Sequence, residues 1–128
     1  MSTTLLLLAM HKDVQDKLVE EIRQVMSSKA DYLDIDMLSK LTYMDMVISE
    51  SMRILPVTPF TARETTGEVV LSGYTVPAKT GILIPIIKLH TNPKFWGGDA
   101  HLFKPERFEK ERMKNIHPYA YLPFTSKD

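Results

Sequence analysis

Apolar residues in the first half of the chain recur with a helical period. Leu5–Met10 is an unbroken apolar run, and Val14, Leu18, Ile22, Val25 and Met26 follow at helical spacing. The pattern predicts an apolar helix through about Met10 and an amphipathic one from about Lys12 to Met26. Asp13 and Lys17 form a favourable i, i+4 pair on the polar side of the second. Ser27–Tyr32 reads as a polar linker and Asp34–Ser39 as a short helical turn. A further long helix is expected over Thr42–Leu55, with Thr42 and Asp45 as a capping pair and Pro56 and Pro59 as its stop. Its apolar stripe is Leu41, Met44, Ile48, Met52 and Leu55. Glu50 and Arg53 share the other side with Tyr43 and Met46, and a helix apolar around most of its circumference is normally buried.

Beyond the prolines the period changes to that of strands. Phe60–Thr65 reads as extended, and Glu68–Leu71 and Tyr74–Val76 flank Ser72-Gly73, a two-residue turn suited to a hairpin. Pro77–Gly81 makes another turn, and Gly81–Ile87 reads as a β-branched strand that Pro85 places at an edge or bulge. Asn92-Pro93 supplies a cap and a first-turn proline for a short helix through Phe95 and Trp96, closed by Gly97-Gly98. The remainder is loop-rich and punctuated by Pro105, Pro118 and Pro123. The class is α+β, mainly helical.

Composition narrows the chemistry. The chain has 128 residues, enough for one domain with a sizeable core, and 44% of them are hydrophobic. Sixteen basic and sixteen acidic side chains cancel, which gives no electrostatic case for nucleic acid or an anionic membrane surface. No cysteine is present, so these residues provide no disulfide, zinc–thiolate site or cysteine nucleophile. The longest apolar run, Leu5–Met10, is far short of the roughly 20 residues that span a bilayer. Met44, Met46 and Met52 read as core filler. His11, His90, His101 and His117 show no ligand-like spacing, so surface or helix-boundary roles are expected rather than a metal site.

Four residues carry candidate chemistry on their own terms. Glu50 and Arg53, three apart on one helix, read from spacing alone as a solvated pair contributing about 0.2–0.5 kcal/mol. If buried, the pair needs further partners, and Arg107 in Pro105-Glu106-Arg107-Phe108 is a candidate for a second bidentate contact on Glu50. Arg63 reads either as a solvated strand residue or as an anion contact.

The order of segments adds a resemblance. Ala9-Met10-His11, Val14–Ile22, E-x-x-R at Glu50–Arg53, Gly73–Pro77, His90-Thr91-Asn92-Pro93 and Phe103–Phe108 follow one another as in the C-terminal half of a cytochrome P450. The chain resembles these heme-thiolate monooxygenases of the eukaryotic microsomal type, with the animal branch, insects included, nearest. The resemblance implies a structural triad of Glu50, Arg53 and Arg107 that locks the helix to the loop leading toward heme. It implies a heme propionate contact at Arg63, a heme-side position at Phe124, and substrate contacts at Val57, Thr58 and Phe60. It also implies heme as cofactor, an apolar small-molecule substrate, electrons from an NADPH-dependent reductase, and an endoplasmic reticulum membrane location through an N-terminal anchor outside this stretch.

Departures from the family pattern shape the expectation. After Phe124, Thr125 and Ser126 fit the loop that would present the iron-binding cysteine, but Lys127-Asp128 does not. Ser2-Thr3-Thr4 lies too near His11 to serve as the oxygen-handling pair, and Lys12 stands where proline is frequent. Both ends read as cut, so residues 1–128 are expected to be one incomplete domain that is not competent alone. A non-catalytic truncated remnant and an unrelated α+β interaction protein are the alternatives. If the triad reading holds, Arg107→Ala and Glu50→Ala should destabilise about equally.

Overall fold

Leu7 and Leu8 anchor the first helix, α1 (Ser2–Met10), while Leu5, Leu6 and Met10 on its other side are exposed. In the computed structural model, which describes residues 2–26 and 35–124, α1 gives way at His11 to α2 (Lys12–Met26). The His11 backbone N–H and ring Nδ1 both return to the Leu7 carbonyl, so one residue closes the first helix before the second begins. The expected Asp13–Lys17 pair does not form. Lys12 pairs with Asp16 instead, and Lys17 reaches Glu106 at 2.7 Å. Val14 and Leu18 face inward, as the helical period requires. The linker at Ser27–Tyr32 lies outside the described residues. A single turn, α3 (Ile35–Leu38), precedes the central helix α4 (Thr42–Ile54).

Two expectations for α4 are corrected. Thr42 and Asp45 do not cap it. The helix begins after Leu41 without a cap from its own side chains, and Glu21 of α2 takes that role. Its carboxylate accepts the backbone N–H groups of Tyr43 (2.7 Å) and Met44 (2.9 Å), placing negative charge at the positive end of the helix. The buried face also differs from the expected stripe. Tyr43, Val47, Glu50, Ser51 and Arg53 are buried, whereas Ile48 and Leu55 are exposed. Tyr43 and Val47 join Leu7, Leu8, Val14, Leu18 and Phe103 in the main core, with Met44 and Met46 packed at its margin. α4 is therefore oriented by where its charged pair goes, and the outward turn of Ile48 and Leu55 follows from that.

The strand region forms two separate antiparallel ribbons. β1 (Thr61–Glu64) pairs with β4 (Gly81–Ile84), matching Thr61 to Ile84 and Arg63 to Ile82. β2 (Val69–Leu71) pairs with β3 (Tyr74–Val76) around Ser72-Gly73. Both turn residues have positive φ (50° and 85°), the geometry that glycine at the second position favours. Thr65 ties the outer ribbon shut: its hydroxyl donates to the Pro77 carbonyl at 2.7 Å and accepts the Thr80 N–H at 2.9 Å.

The strand expected over Gly81–Ile87 stops at Ile84. Pro85 is instead the residue before α5 (Ile86–His90), because its fixed φ suits a helix entry and it donates nothing to a ladder. α6 (Pro93–Trp96) follows as expected, capped by the Asn92 side chain on the Lys94 N–H at 3.0 Å and closed by Gly97 at φ 83°. The tail holds more order than its composition indicates. A 3₁₀ turn at Pro105–Phe108, α7 (Lys110–Met113) and a 3₁₀ turn at Pro118–Ala120 pack Phe108, Met113, Ile116 and Tyr121 around Trp96, Ala100 and Ala120 as a second core.

Candidate functional site: a buried ionic hub on α4

Where α4 passes from the first core to the second, it carries Glu50 and Arg53, both completely buried. The solvated-pair reading of E-x-x-R is thereby corrected. Arg53 Nε and Nη2 donate to the two Glu50 carboxylate oxygens at 2.6 and 2.8 Å, a bidentate fork. The remaining guanidinium protons go to backbone carbonyls: Nη1 to His90 and Ala100, both at 2.7 Å, and Nη2 to Leu102 at 3.2 Å. The guanidinium also lies 5.0 Å from the Trp96 ring centroid, a cation–π placement. Each buried charge thus has the partners that burial demands.

Arg107 reaches the same carboxylate more weakly than a second bidentate contact would. Glu50 Oε1, the oxygen nearest Arg107, already accepts Arg53 Nη2 and the Lys104 N–H, each at 2.8 Å, so its two lone pairs are taken. Arg107 Nε stands 3.6 Å from Oε1, a charge contact without a hydrogen bond. Its terminal nitrogens hold the chain around them instead: Nη1 donates to the Trp96 carbonyl at 2.7 Å, and Nη2 to Asp99, whose Oδ1 is 2.6 Å away. Lys104 and Arg107 together, through hydrogen bonds first and charge second, hold the Asp99 carboxyl well below the usual carboxylate range. The three triad residues are thus brought together, with unequal bonds.

A second cluster backs the hub. Lys17 lies over the Tyr43 ring, 4.3 Å from its centroid, and pairs with Glu106, which the Tyr43 hydroxyl also approaches at 3.3 Å. Burial raises the Tyr43 phenol, and the neighbouring Glu106 carboxylate adds to that shift. Burial is the largest influence on Glu106 and works to raise it, but hydrogen bonds from Lys17, the backbone and Tyr43, together with the Lys17 charge, outweigh it and hold the carboxyl below its ordinary value.

The other expected site residues lie away from the hub. Val57, Thr58 and Phe60 follow α4 in an exposed bend, Val57 at 76% and Phe60 at 57% exposure. Arg63 is exposed on β1, where its Nη1 donates to Thr61 Oγ1 and the Ala62 carbonyl, both at 3.0 Å. Phe124 is exposed too, and residues 125–128 lie outside the described ones. Among the described residues no group of three His, Asp or Glu side chains is placed to hold a metal ion, and no helix is long and apolar enough to cross a membrane.

Sequence reasoning missed His90, expected at a surface or helix boundary. It does end α5, but its ring is fully buried between Arg53 and Leu122. Burial, followed by the Arg53 charge, lowers its pKa, against the pull of a hydrogen bond to the Arg53 carbonyl. The available signal was its place in His90-Thr91-Asn92-Pro93, directly before a capped helix. Asp99 and the Lys104 N–H carried no comparable signal.

Comparison with known proteins agrees with this architecture. The family model for cytochrome P450 matches residues 1–126. Probable cytochrome P450 313a4 of Drosophila melanogaster is 38% identical over 125 residues, covering 95% of this chain and 25% of the relative. Rat cytochrome P450 3A9 is 39% identical over 124 residues (97% of this chain, 24% of the relative), and mouse cytochrome P450 3A13 is 40% identical over 126 (98% and 25%). The chain spans about a quarter of the length of these three relatives. The family-model match over nearly every residue leads to one conclusion: the chain belongs to the cytochrome P450 family.

Proposed function

We propose that these residues form the scaffold portion of a heme-dependent monooxygenase, acting on an apolar small molecule with dioxygen and electrons from an NADPH-dependent reductase. The observation that carries the reading is the buried Glu50–Arg53–Arg107 hub in a chain of this family. It joins α4 to the loop from Ala100 to Arg107 through charge-assisted bonds and leaves no carboxylate oxygen or guanidinium aimed at open space. Such a group holds geometry and moves no proton.

Heme is the cofactor that family membership implies, and these residues fit its periphery but not its axial bond. The chain contains no cysteine, and His90, the one fully buried imidazole among the described residues, has both nitrogens engaged. An exposed guanidinium at Arg63 suits a propionate carboxylate, and Phe124 offers an aromatic face for the heme side. Val57, Thr58 and Phe60 present apolar surface suited to an apolar substrate. The thiolate that supplies electron density for O–O cleavage has to come from outside these 128 residues. The chain by itself is accordingly an incomplete domain and not competent in catalysis. The microsomal location belongs to this same reading and rests on the resemblance alone.

Reconstitution of the 128-residue chain with heme, followed by a carbon monoxide difference spectrum, tests the reading. No thiolate-type band is expected. Its appearance would overturn the inactivity of the isolated chain. Sequence read beyond Asp128 provides the complementary check: a glycine–arginine–cysteine loop is expected there, and a terminating sequence would favour the truncated remnant.

A further inference from the structure

The two ring nitrogens of His90 face groups of fixed hydrogen-bonding sense. Nδ1 lies 3.2 Å from the Arg53 carbonyl, which can only accept, and Nε2 lies 2.8 Å from the Leu122 N–H, which can only donate. One state of the ring satisfies both: neutral, with its proton on Nδ1. Arg53 reciprocates, since its Nη1 donates to the His90 carbonyl. Side chain and main chain of the two residues are therefore bonded crosswise. Next to Leu122, the Tyr121 hydroxyl donates to the Ser49 carbonyl at 3.0 Å, with its ring 5.3 Å from that of His90. Two consecutive residues of the C-terminal segment are thus tied to α4, one directly and the other through the imidazole.

We propose that His90 is a positioning residue: its Nδ1–H tautomer couples the Arg53 main chain to the Leu122 amide and so sets the path of Leu122-Pro123-Phe124. The consequence for heme rests on the placement of Phe124 argued above. The coupling to Leu122 does not. A second proton, on Nε2, would set a donor against the Leu122 N–H and break the link.

The surroundings oppose that proton. From α4, the Arg53 guanidinium bonds the His90 carbonyl and its charge disfavours a cationic ring, and the Glu50 carboxylate is already engaged by Arg53, Lys104 N–H and Arg107. From the loop and turn beyond α6, Asp99 is held by Lys104 and Arg107. From the C-terminal segment, the Tyr121 phenol stays neutral because burial raises its pKa. Lys88 of α5 itself is exposed. No unpaired carboxylate among these groups favours the imidazolium.

The test uses the heme-free, ¹⁵N-labelled chain, reading the ring nitrogens in long-range correlation spectra and the Leu122 amide by hydrogen exchange. At about pH 8 the ring should carry its proton on Nδ1 and the Leu122 amide should be protected. As the pH is taken down below the ordinary imidazole value and the ring protonates, protection corrected for intrinsic exchange should fall at least about tenfold. His90→Gln offers an acceptor that does not titrate, so protection should persist and the pH step should vanish. A proton on Nε2 at the higher pH, an unprotected Leu122 amide, or the same step in His90→Gln would overturn the proposal. The wild-type measurement decides by itself should the substitution disturb folding. A thiolate-type band in reconstituted chain would count against the proposed function and leave these readings unchanged.

Discussion

Glu50 and Arg53 carry full charges and are 0% exposed, while Val57, Phe60 and Leu83 are apolar and more than half exposed. The usual partition of charge and hydrocarbon is inverted within one stretch of chain. The difference lies in where each group's partners are. Every polar atom of the Glu50–Arg53 pair is answered from α4, α5 or the loop from Ala100 to Lys104, so this region contains its own solution to burying charge. Within each ribbon the two strands answer one another's backbone groups, but Val70, Leu71, Tyr74 and Leu83 are exposed, and two-stranded ribbons are marginal without a covering layer. The hub is where losing one partner costs most, and part of the exposed apolar surface sits with the residues proposed to meet substrate and heme.

Removing one member of the buried pair should break this contrast most severely. Glu50→Ala leaves the Arg53 guanidinium buried without its carboxylate, and Arg53→Ala leaves the converse. Each should cost about 3–5 kcal/mol, a large share of the stability of a domain this size. Urea denaturation followed by circular dichroism measures it. A cost under about 0.5 kcal/mol would mean that the pair is solvated after all.

Arg107→Ala should cost less, about 1.5–3 kcal/mol, rather than matching Glu50→Ala. Glu50 keeps its fork with Arg53 and the Lys104 N–H, and what is lost are the bonds to Trp96 and Asp99 and the 3.6 Å charge contact. Equal costs for Arg107 and Glu50 in the same denaturation series would show that the charge contact outweighs its geometry.

That gradation marks the limit of what the chain's pattern conveys. Helix and hairpin positions were legible because periodicity, Asn92-Pro93 and Ser72-Gly73 are local signals with local causes. The E-x-x-R pair was legible as a candidate, and the apolar circumference of its helix pointed to burial. Spacing could not say how many acceptors Glu50 would have free, because the Lys104 N–H is a backbone donor 54 residues away. Glu21 capping α4 and His90 holding Leu122 were hidden for the same reason: both are tertiary contacts made by residues with ordinary local surroundings. Strand Gly81–Ile84 ended early because Pro85 has two uses, and only the packing of Ile86 and His90 chooses between them.

Acid should separate the hub from the cluster behind it. His90 in the folded state has a pKa below its ordinary 6.5, so below that pH the unfolded chain takes the proton first. Stability from His90 is therefore full above about 6.5 and declines as pH falls toward the folded value. Glu106 is lowered from its ordinary 4.5, so its contribution is full above about 4.5 and is lost as pH falls through the folded value. Denaturation midpoints measured across this range should fall in two stages. His90→Gln should flatten the first stage, and Lys17→Met the second. A single stage unaffected by either substitution would detach both groups from the acid response.

The smallest effects are expected at the exposed bend. Val57→Ala and Phe60→Ala remove hydrocarbon that already faces solvent, so each should shift the stability of this chain by no more than about 0.5 kcal/mol. A stability cost of about 2 kcal/mol or more would place these side chains in a core and remove them as candidates for substrate contact. Small costs would sharpen the comparison with Glu50 and Arg53. Large apolar groups that the fold does not use are available to something else, and the proposed substrate contact requires that freedom of Val57 and Phe60.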